Sequence, residues 1–163
     1  MSTRKILVPV DGSDCSRNAL AVAGAWAKRM GAELWVLHAY HVPHYIQPSL
    51  LIWMGTGPRP LWELAEEQAA KELDELLATS QAAVDSAHRH LVHGDPSTAI
   101  LALVEREKHD LIIMGTHGRS GAKRLALGSV AERVVRRAPC PVLVIPTHET
   151  KDRAEPLFEP RLL

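Results

Sequence analysis

The sequence predicts an α/β fold, an open five-stranded parallel sheet with helices on both faces. Short apolar runs alternate with longer stretches of helical periodicity along most of the 163 residues, and such alternation is typical of strand–helix–strand units. The apolar runs are nearly continuous, as expected for strands that are covered on both faces. We expect a single domain over residues 1–146 and a polar C-terminal tail over residues 147–163.

The first strand is predicted over Lys5–Val10, and a helix follows it. In the turn between them, Ser13 or Asp14 is suited to cap the helix. The helix is expected to reach about Met30, with Gly31 as the residue that ends it. Its predicted inward face consists of Ala19, Leu20, Ala23, Trp26 or Ala27, and Met30.

The second strand, Glu33–Ala39, leads into an unusual segment over residues 41–60. This segment holds four prolines and two glycines together with apolar side chains such as Trp53 and Met54. A connection of about 20 residues is long for a compact domain, and such loops tend to be functional. We therefore expect an apolar loop that serves either as a lid or partner surface, or is folded onto its own domain.

The second half of the chain continues the alternation of helices and strands. Asp95 is placed to cap a helix that has Pro96 at its first position. That helix is expected to turn Ile100, Leu101 and Val104 inward. The predicted elements are a helix over 61–87, a strand over 88–93, a helix over 96–108, a strand over 110–114, a helix over 129–137 and a strand over 141–146.

Composition narrows the classes of partner. Lys and Arg total 19 and Asp and Glu total 19, and this balance argues against nucleic acid or a membrane surface bound through bulk charge. No apolar run of about 18 residues predicts a membrane span, and the N-terminus lacks the pattern of a signal peptide. Cys15 and Cys140 do not form a disulfide framework. We expect a cytoplasmic protein.

The chemistry of the chain concentrates in the stretch Leu111–Val130. An apolar strand runs into a glycine-rich loop, and the loop leads to the start of a helix at Ser129. Glycines allow the backbone to approach an anion closely, and free N–H groups at a helix N-terminus bind it. In an open parallel sheet, ligands bind beyond the carboxyl ends of the strands. If the first and fourth strands are neighbours, the loop Asp11–Ser16 faces this phosphate loop across one crevice.

These motifs resemble those of the universal stress protein family. Gly115, Gly118, Gly128 and Ser129 fit the nucleotide-binding signature G-x2-G-x9-G-[ST] of that family. The segments ILVPVDGS, DLIIMGTHGRSG and CPVLVIP are similar to the family as well, and the resemblance covers residues 4–146. It implies a sheet of strand order 3-2-1-4-5 and an ATP-binding, stress-linked regulator with weak or no hydrolysis. It also implies a homodimer that pairs through the edge strand over 141–146.

The resemblance and the loop chemistry together assign roles at the phosphate end of the nucleotide. Gly115 and Gly118 would turn backbone amides toward the ribose and inner phosphates, and Arg119 is either a further charge on the phosphates or a solvent-facing arginine. The outer phosphates would be bound by Gly128, by the hydroxyl and N–H of Ser129, and by the N–H of Val130.

The remaining assignments concern the metal and the adenosine. Asp11 would hold a divalent metal, Mg or Mn, beside the phosphates, or it may only shape its turn. Pro9, Val10 and Ala39 would line the adenosine end, with the backbone of Ala39 facing adenine. Met114 is expected to be a wall of the site.

Other readings of the same residues remain open. A nucleotide-free interaction module of the same fold is the main alternative, and an adenylating enzyme is a weaker one because the first turn lacks a second glycine. No catalytic residue is assigned, and a protein partner is expected but not identified. The histidines at 88, 90 and 93 are not expected to bind a metal, His117 is expected at the surface, and Cys15 is expected to be structural.

Overall fold

The computed structural model describes residues 4–42, 47, 49–55, 57–80, 86–118 and 127–146. The predicted tail over 147–163 lies outside this part of the chain, as does Arg119. The elements are β1 Lys5–Val10, α1 Asp14–Met30, β2 Glu33–Tyr40, β3 Leu51–Met54, β4 Gly57–Pro60, α2 Leu61–Ala78, β5 His88–His93, α3 Pro96–Glu107, β6 Leu111–Gly115, α4 Ser129–Arg137 and β7 Val142–Ile145.

Five parallel strands form one sheet in the order β5-β2-β1-β6-β7. Counted along this sheet alone, the order is 3-2-1-4-5, which confirms the predicted fold class. β1 and β6 are neighbours, with Ile6 opposite Leu111. The strand order therefore reverses between them, and the loops that follow both strands reach the same edge of the sheet.

Helices cover both faces of the sheet and create two apolar layers. On one face, α1 and α2 pack with residues such as Leu20 and Leu76 against Val8 and Ile113. On the other face, α3 and α4 pack against Leu7 and its neighbours. The strands are buried on both sides, and this explains why their sequences are nearly continuous apolar runs.

The helix ends predicted from local residues are confirmed at α1 and α3. Ser13 caps α1 by accepting a hydrogen bond from the amide of Ser16, and Gly31 ends it with φ +63°. Asp95 caps α3 by accepting from the amide of Thr98. These caps depend on neighbours in the sequence, so they can be predicted without knowledge of the fold.

Three sequence expectations are wrong in detail. In α1, Trp26 and Met30 are exposed by 36% and 44%, because the buried stripe consists of smaller residues such as Ala23 and Ala27. In α3, Ile100 and Val104 are buried as expected. Leu101 is only half-buried, and Leu103 is buried in its place. The helix predicted over 61–87 ends at Ala78, where Thr79 directs its hydroxyl to the carbonyl oxygen of Glu75.

The segment over 41–60 contains regular structure that the sequence analysis did not predict. β3 and β4 form an antiparallel ribbon, with Leu51 opposite Pro60 and Trp53 opposite Pro58. β4 leads directly into α2 and packs against it. Part of the predicted loop is therefore a two-stranded ribbon that stands apart from the main sheet.

Candidate functional site

A crevice of about 400 Å³ opens beyond the carboxyl ends of β1, β2 and β6. It lies where the strand order reverses, the position at which open α/β sheets bind ligands. Its walls come from the turn after β1, the end of β2, the loop after β6 and the first turns of α3 and α4. The lining residues are Pro9, Val10, Asp11, Ser16, Leu37, Ala39, His41, Pro96, Ile100, Met114, Gly115, Thr116, His117, Gly118, Gly128, Ser129, Val130 and Ala131.

Asp11 forms one wall, and its two carboxylate oxygens have different surroundings. Oδ1 accepts hydrogen bonds from the amide of Ser13 at 3.0 Å and from its hydroxyl at 2.6 Å, which fixes the turn. Oδ2 points toward the opposite wall, where a Cβ added to Gly118 would lie 2.5 Å from it. The carboxylate can occupy this place only because residue 118 has no side chain. Asp11 therefore shapes its turn and also reaches across the crevice.

Gly115 is required by packing as much as by any ligand. A Cβ added there would lie 2.6 Å from the Cβ of Cys15 and 3.0 Å from its carbonyl carbon. The absence of a side chain thus lets the start of α1 contact the end of β6. Cys15 is buried, with its Sγ 3.7 Å from Oγ1 of Thr116. This agrees with the structural role expected for that cysteine.

The N-terminus of α4 differs from the other two helix N-termini at the crevice. α1 and α3 are capped by the side chains of Ser13 and Asp95, whereas α4 begins after Gly128, which offers none. The Gly128 amide donates to the carbonyl oxygen of Thr116 at 2.8 Å. The amides of the first helical turn have no acceptor within the helix. With the positive end of the helix dipole, they make this part of the crevice attractive to anions.

Comparison with known proteins now decides the family. The family model described as the universal stress protein family matches residues 2–146, which is most of the chain.

The chain belongs to the universal stress protein family. A universal stress protein of Thermus aquaticus is 38% identical over 145 residues, which cover 87% of this chain and 98% of that protein. The solved universal stress protein UspA of Lactobacillus plantarum is 30% identical, covers 89% of this chain and 99% of its own, and superposes with a TM-score of 0.73. A universal stress protein solved in complex with cAMP covers 91% and 100% at 24% identity, with a TM-score of 0.58. At that identity the likeness shows the fold alone.

In this family member, the apolar end of the crevice is built by β1 and β2. Val10 pairs with His38, and Leu37 and Ala39 point to the face opposite the His38 side chain. Nδ1 of the buried His38 lies 2.9 Å from the carbonyl oxygen of Val10, so its N–H can donate to that oxygen. On the far side of the ring, Nε2 lies 3.9 Å from a carboxylate oxygen of Glu72 in α2. The histidine therefore fixes the end of β1 from behind the crevice.

Asp95 links the two helices on the other side of the crevice. Hydrogen bonds from the Ser97 hydroxyl and from the amide and hydroxyl of Thr98, together with the nearby charge of Arg133, lower its pKa to about 2. Arg133 of α4 donates to the Ser97 hydroxyl at 3.0 Å and lies 3.5 Å from the Asp95 carboxylate. This contact ties α4 to the start of α3.

The structure brings the predicted binding residues together. Every one of them that is described lines the same crevice, whereas Arg119 lies outside the described residues. Pro9, Val10, Ala39 and Met114 lie at the apolar end. Asp11 and the residues of the glycine signature lie at the polar end, with Val130.

Several lining residues were missed by sequence reasoning. Pro96 and Ile100 are helix residues, and His41 follows β2. The sequence favours a surface position for His117 over a contact with phosphate, and His117 is among the lining residues. His117 is half-buried in the crevice wall with Nδ1 3.0 Å from Oγ1 of Thr116, and its shielded Nε2 has no hydrogen-bond partner within the described ranges. The position of His117 in the glycine-rich loop was the feature of the sequence that could have placed it in the crevice.

His88 and His90 of β5 belong to a ring cluster around Trp35, near Lys5 at the start of β1. The rings of His88 and His90 stack on Trp35, with centroids 4.5 Å and 4.9 Å away, and His109 meets the same indole edge-on. Burial lowers the pKa of His90, and burial next to Lys5 lowers that of His109 to about 4. Among the described residues, no group of three or more histidine, cysteine or acidic side chains is arranged to hold a metal ion.

In the described part of the chain, no helix is long and apolar enough to span a membrane.

Proposed function

We propose that this universal stress protein binds ATP in the crevice and acts as a nucleotide-dependent regulator in the cytoplasm. The observation that carries the proposal is the convergence of three features on one cavity. They are an uncapped helix N-terminus, a carboxylate held across from Gly118, and an apolar slot at the ends of β1 and β2. Together they match the phosphates, the metal or ribose, and the base of a nucleotide.

The phosphates are assigned to the start of α4. The amides of Ser129 and Val130 belong to the helix turn that lacks a side-chain cap, and the Ser129 hydroxyl lines the same wall. An anion there gains hydrogen bonds and the favourable helix dipole. Gly115 and Gly118 keep the opposite loop close to the ribose and inner phosphates. Arg119 is retained as a possible further phosphate contact by its place in the sequence alone.

The base is assigned to the other end. Leu37, Ile100 and Met114 give this part of the crevice an apolar lining suited to a planar ring. Ala39, next to the last residue of β2, lies beside it and offers backbone groups for the edge of adenine. His41, the next lining residue along the chain, reaches the same end.

Asp11 is assigned to a divalent cation that accompanies ATP. Its Oδ1 is committed to Ser13, while its Oδ2 lies on the crevice side next to Gly118. A single carboxylate with phosphate oxygens is a common set of ligands for Mg²⁺. Mg or Mn would screen the phosphate charge from Asp11 itself.

A regulatory rather than a catalytic role follows from the chemistry of the lining. The crevice offers phosphate-binding amides and one carboxylate, but no lysine of a Walker loop among its lining residues. We expect ATP hydrolysis to be weak at most. ATP then acts by stabilising one conformation or assembly, to which a protein partner responds.

The proposal is tested on the purified full-length chain. The protein is denatured and any released nucleotide identified, and the nucleotide-free protein is titrated calorimetrically with ATP, GTP and cAMP in the presence of Mg²⁺. We expect heat of binding with ATP and a weaker response to GTP. The absence of released nucleotide together with no heat from any of the three would favour the alternative, a nucleotide-free interaction module.

We also propose a homodimer through the edge strand over 141–146. The amide of Ile112 donates to the carbonyl oxygen of Pro141 and that of Thr116 to Ile145, so Val142 and Val144 turn their backbone groups outward. Such an edge can pair with a second β7. The substitution Val144→Pro removes an outward N–H without touching the bonds to β6. Sedimentation should then show that the dimer is weakened, and an unchanged mass would count against this interface.

A further inference from the structure

The β3–β4 ribbon has two different edges. The amide of Leu61 donates to the carbonyl oxygen of Leu50 at 2.8 Å, which fixes the alternation of hydrogen-bonded pairs along the ribbon. Ile52 and Arg59 are therefore bonded to each other, and the residues between them direct their N–H and C=O groups outward. On β4 these are Pro58 and Pro60, and on β3 they are Leu51 and Trp53.

The outer edge of β4 is closed to further strand pairing, whereas that of β3 is open. Pro58 and Pro60 have no N–H to donate, and prolines on an edge prevent the addition of another strand. Leu51 and Trp53 each carry a full donor and acceptor. The ribbon can thus extend on one side only.

The two faces of the ribbon differ as well. Arg59 forms ion pairs with Glu63 at 2.7 Å and Glu67 at 2.5 Å, and these tie one face to α2. The pKa of Glu67 is lowered by its hydrogen bonds to Arg59. The opposite face holds Leu51, exposed by 59%, and Trp53, exposed by 77%. Their cross-strand neighbours are Pro60 and Pro58, so this face carries no charge.

We propose that β3 pairs with β3 of a second copy of this chain, antiparallel and across a two-fold axis at Ile52. In this register Leu51 faces Trp53 of the second copy, and each outward amide meets an outward carbonyl. The exposed apolar faces then join into one surface over four strands. The closed β4 edges lie on the outside, so the strand pairing at β3 joins only two ribbons.

A second copy fits this surface better than other occupants because the surface is self-complementary. The edge offers the same backbone pattern and the same apolar pair, leucine beside tryptophan, in both directions. No charge on the face calls for an oppositely charged partner. The strand has only four residues, so the contact is small and the association should be weak and concentration-dependent. It is separate from the β7 contact and independent of nucleotide binding.

The test is sedimentation of the full-length protein over a series of concentrations, with matched proline variants. With both edges active, the wild-type mass should rise toward a tetramer. The substitution Leu51→Pro removes an outward amide of β3 and should remove this rise, leaving the dimer formed through β7. Val144→Pro should leave a dimer formed through β3, and the double variant should be monomeric.

Other outcomes separate the two interfaces. If the wild type reaches only a dimer that Leu51→Pro abolishes, the β3 pairing stands and the β7 pairing fails. If Leu51→Pro leaves the mass unchanged at every concentration, or if Val144→Pro is monomeric throughout, the β3 proposal is overturned. In that case the open β3 edge is left for another protein or for another part of this chain.

Two further variants distinguish a loss of β3 pairing from unfolding of the ribbon. Trp53→Lys keeps the backbone but places a charge next to Leu51 of the second copy. Met54→Lys places the same charge on the other face of the ribbon. Only the first should abolish the association. In the proposed register Ile52 faces itself across the axis at about 4.5 Å between Cα atoms, within disulfide range. Ile52→Cys should therefore form a covalent dimer under oxidation, whereas Met54→Cys and the wild type, with Cys15 and Cys140, should not.

Discussion

The starts of α3 and α4 border the same crevice, but their first turns are completed in opposite ways. At α3, Asp95 supplies a negatively charged acceptor to the exposed amides. At α4, Gly128 supplies none, and the residues of the first turn line the cavity. The α3 terminus is therefore complete within the protein, and the α4 terminus leaves its hydrogen-bonding capacity for an anion. The difference separates a helix start that is completed within the protein from one that we propose as a binding element.

The largest effect is expected from making α4 resemble α3. Gly128→Asp would place a carboxylate at the cap, where it takes the amides and repels phosphate, and ATP affinity should fall about 100-fold. Gly128→Asn introduces a side chain of nearly the same size and capping ability but without charge. The ATP affinity of this variant should therefore fall less. Both affinities are measured by calorimetry.

This pair of variants is preferable to a bulky substitution. A Cβ at residue 128 lies 3.0 Å from the carbonyl oxygen of Thr116, so any side chain there disturbs the loop, but the disturbance is the same in the Asp and Asn variants and cancels in their comparison. Equal affinities for the Asp and Asn variants would show that charge at this terminus does not matter. The assignment of phosphate to α4 would then be wrong.

Removing the side-chain cap of α3 should lower the stability of the protein and leave ATP binding almost intact. Asp95→Ala removes the cap of α3, and the free energy of unfolding should fall by about 1–2 kcal/mol. Urea denaturation measures this loss, and calorimetry should show ATP affinity within a few-fold of the wild type. A large loss of affinity in this variant would mean that α3 also contributes to the anion site.

The same cap should give a smaller, pH-dependent effect. The folded pKa of Asp95 is held near 2, below the ordinary value of 3.8, so the stabilisation is fully present above pH 4. It is lost as the pH falls toward 2, because the unfolded chain takes up the proton first. Since Asp95 is exposed, we expect a contribution of only about 1 kcal/mol. The stability difference between wild type and Asp95→Asn should shrink over this interval, and a constant difference would contradict the cap as its source.

The smallest effect concerns the contact between the two helices. Arg133→Gln removes the ion pair with Asp95, and an exposed pair of this kind should cost no more than about 0.5 kcal/mol. Arg136→Gln provides a matched control, because it removes an exposed pair within α4, with Glu132, that does not reach α3. A several-fold loss of ATP affinity for Arg133→Gln alone would show that α3 positions α4.

Local signals predicted local features well. The caps at Ser13 and Asp95 and the end of α1 at Gly31 depend on residues next to one another in the sequence. The β3–β4 ribbon was not predicted because prolines argue against strands. In this ribbon they occupy the outward positions of one edge, where no N–H is needed.

The crevice could be predicted only in part. The glycine signature and the resemblance to the family located the residues after β1, β2 and β6. Pro96 and Ile100 reach the crevice because α3 packs beside α4, a tertiary contact that no local pattern indicates. Trp26 and Met30 were misplaced for a related reason, since periodicity does not show how wide a stripe of α1 the sheet covers.

The contact between Gly115 and Cys15 has a mechanical consequence. At the base of the crevice the two walls already touch, with no room for even one additional carbon atom between them. The walls therefore cannot be pressed closer together at that depth, and the width of the crevice there is set by the protein and not by its contents. Any adjustment to a smaller or larger occupant therefore has to be made elsewhere along the crevice, away from this contact.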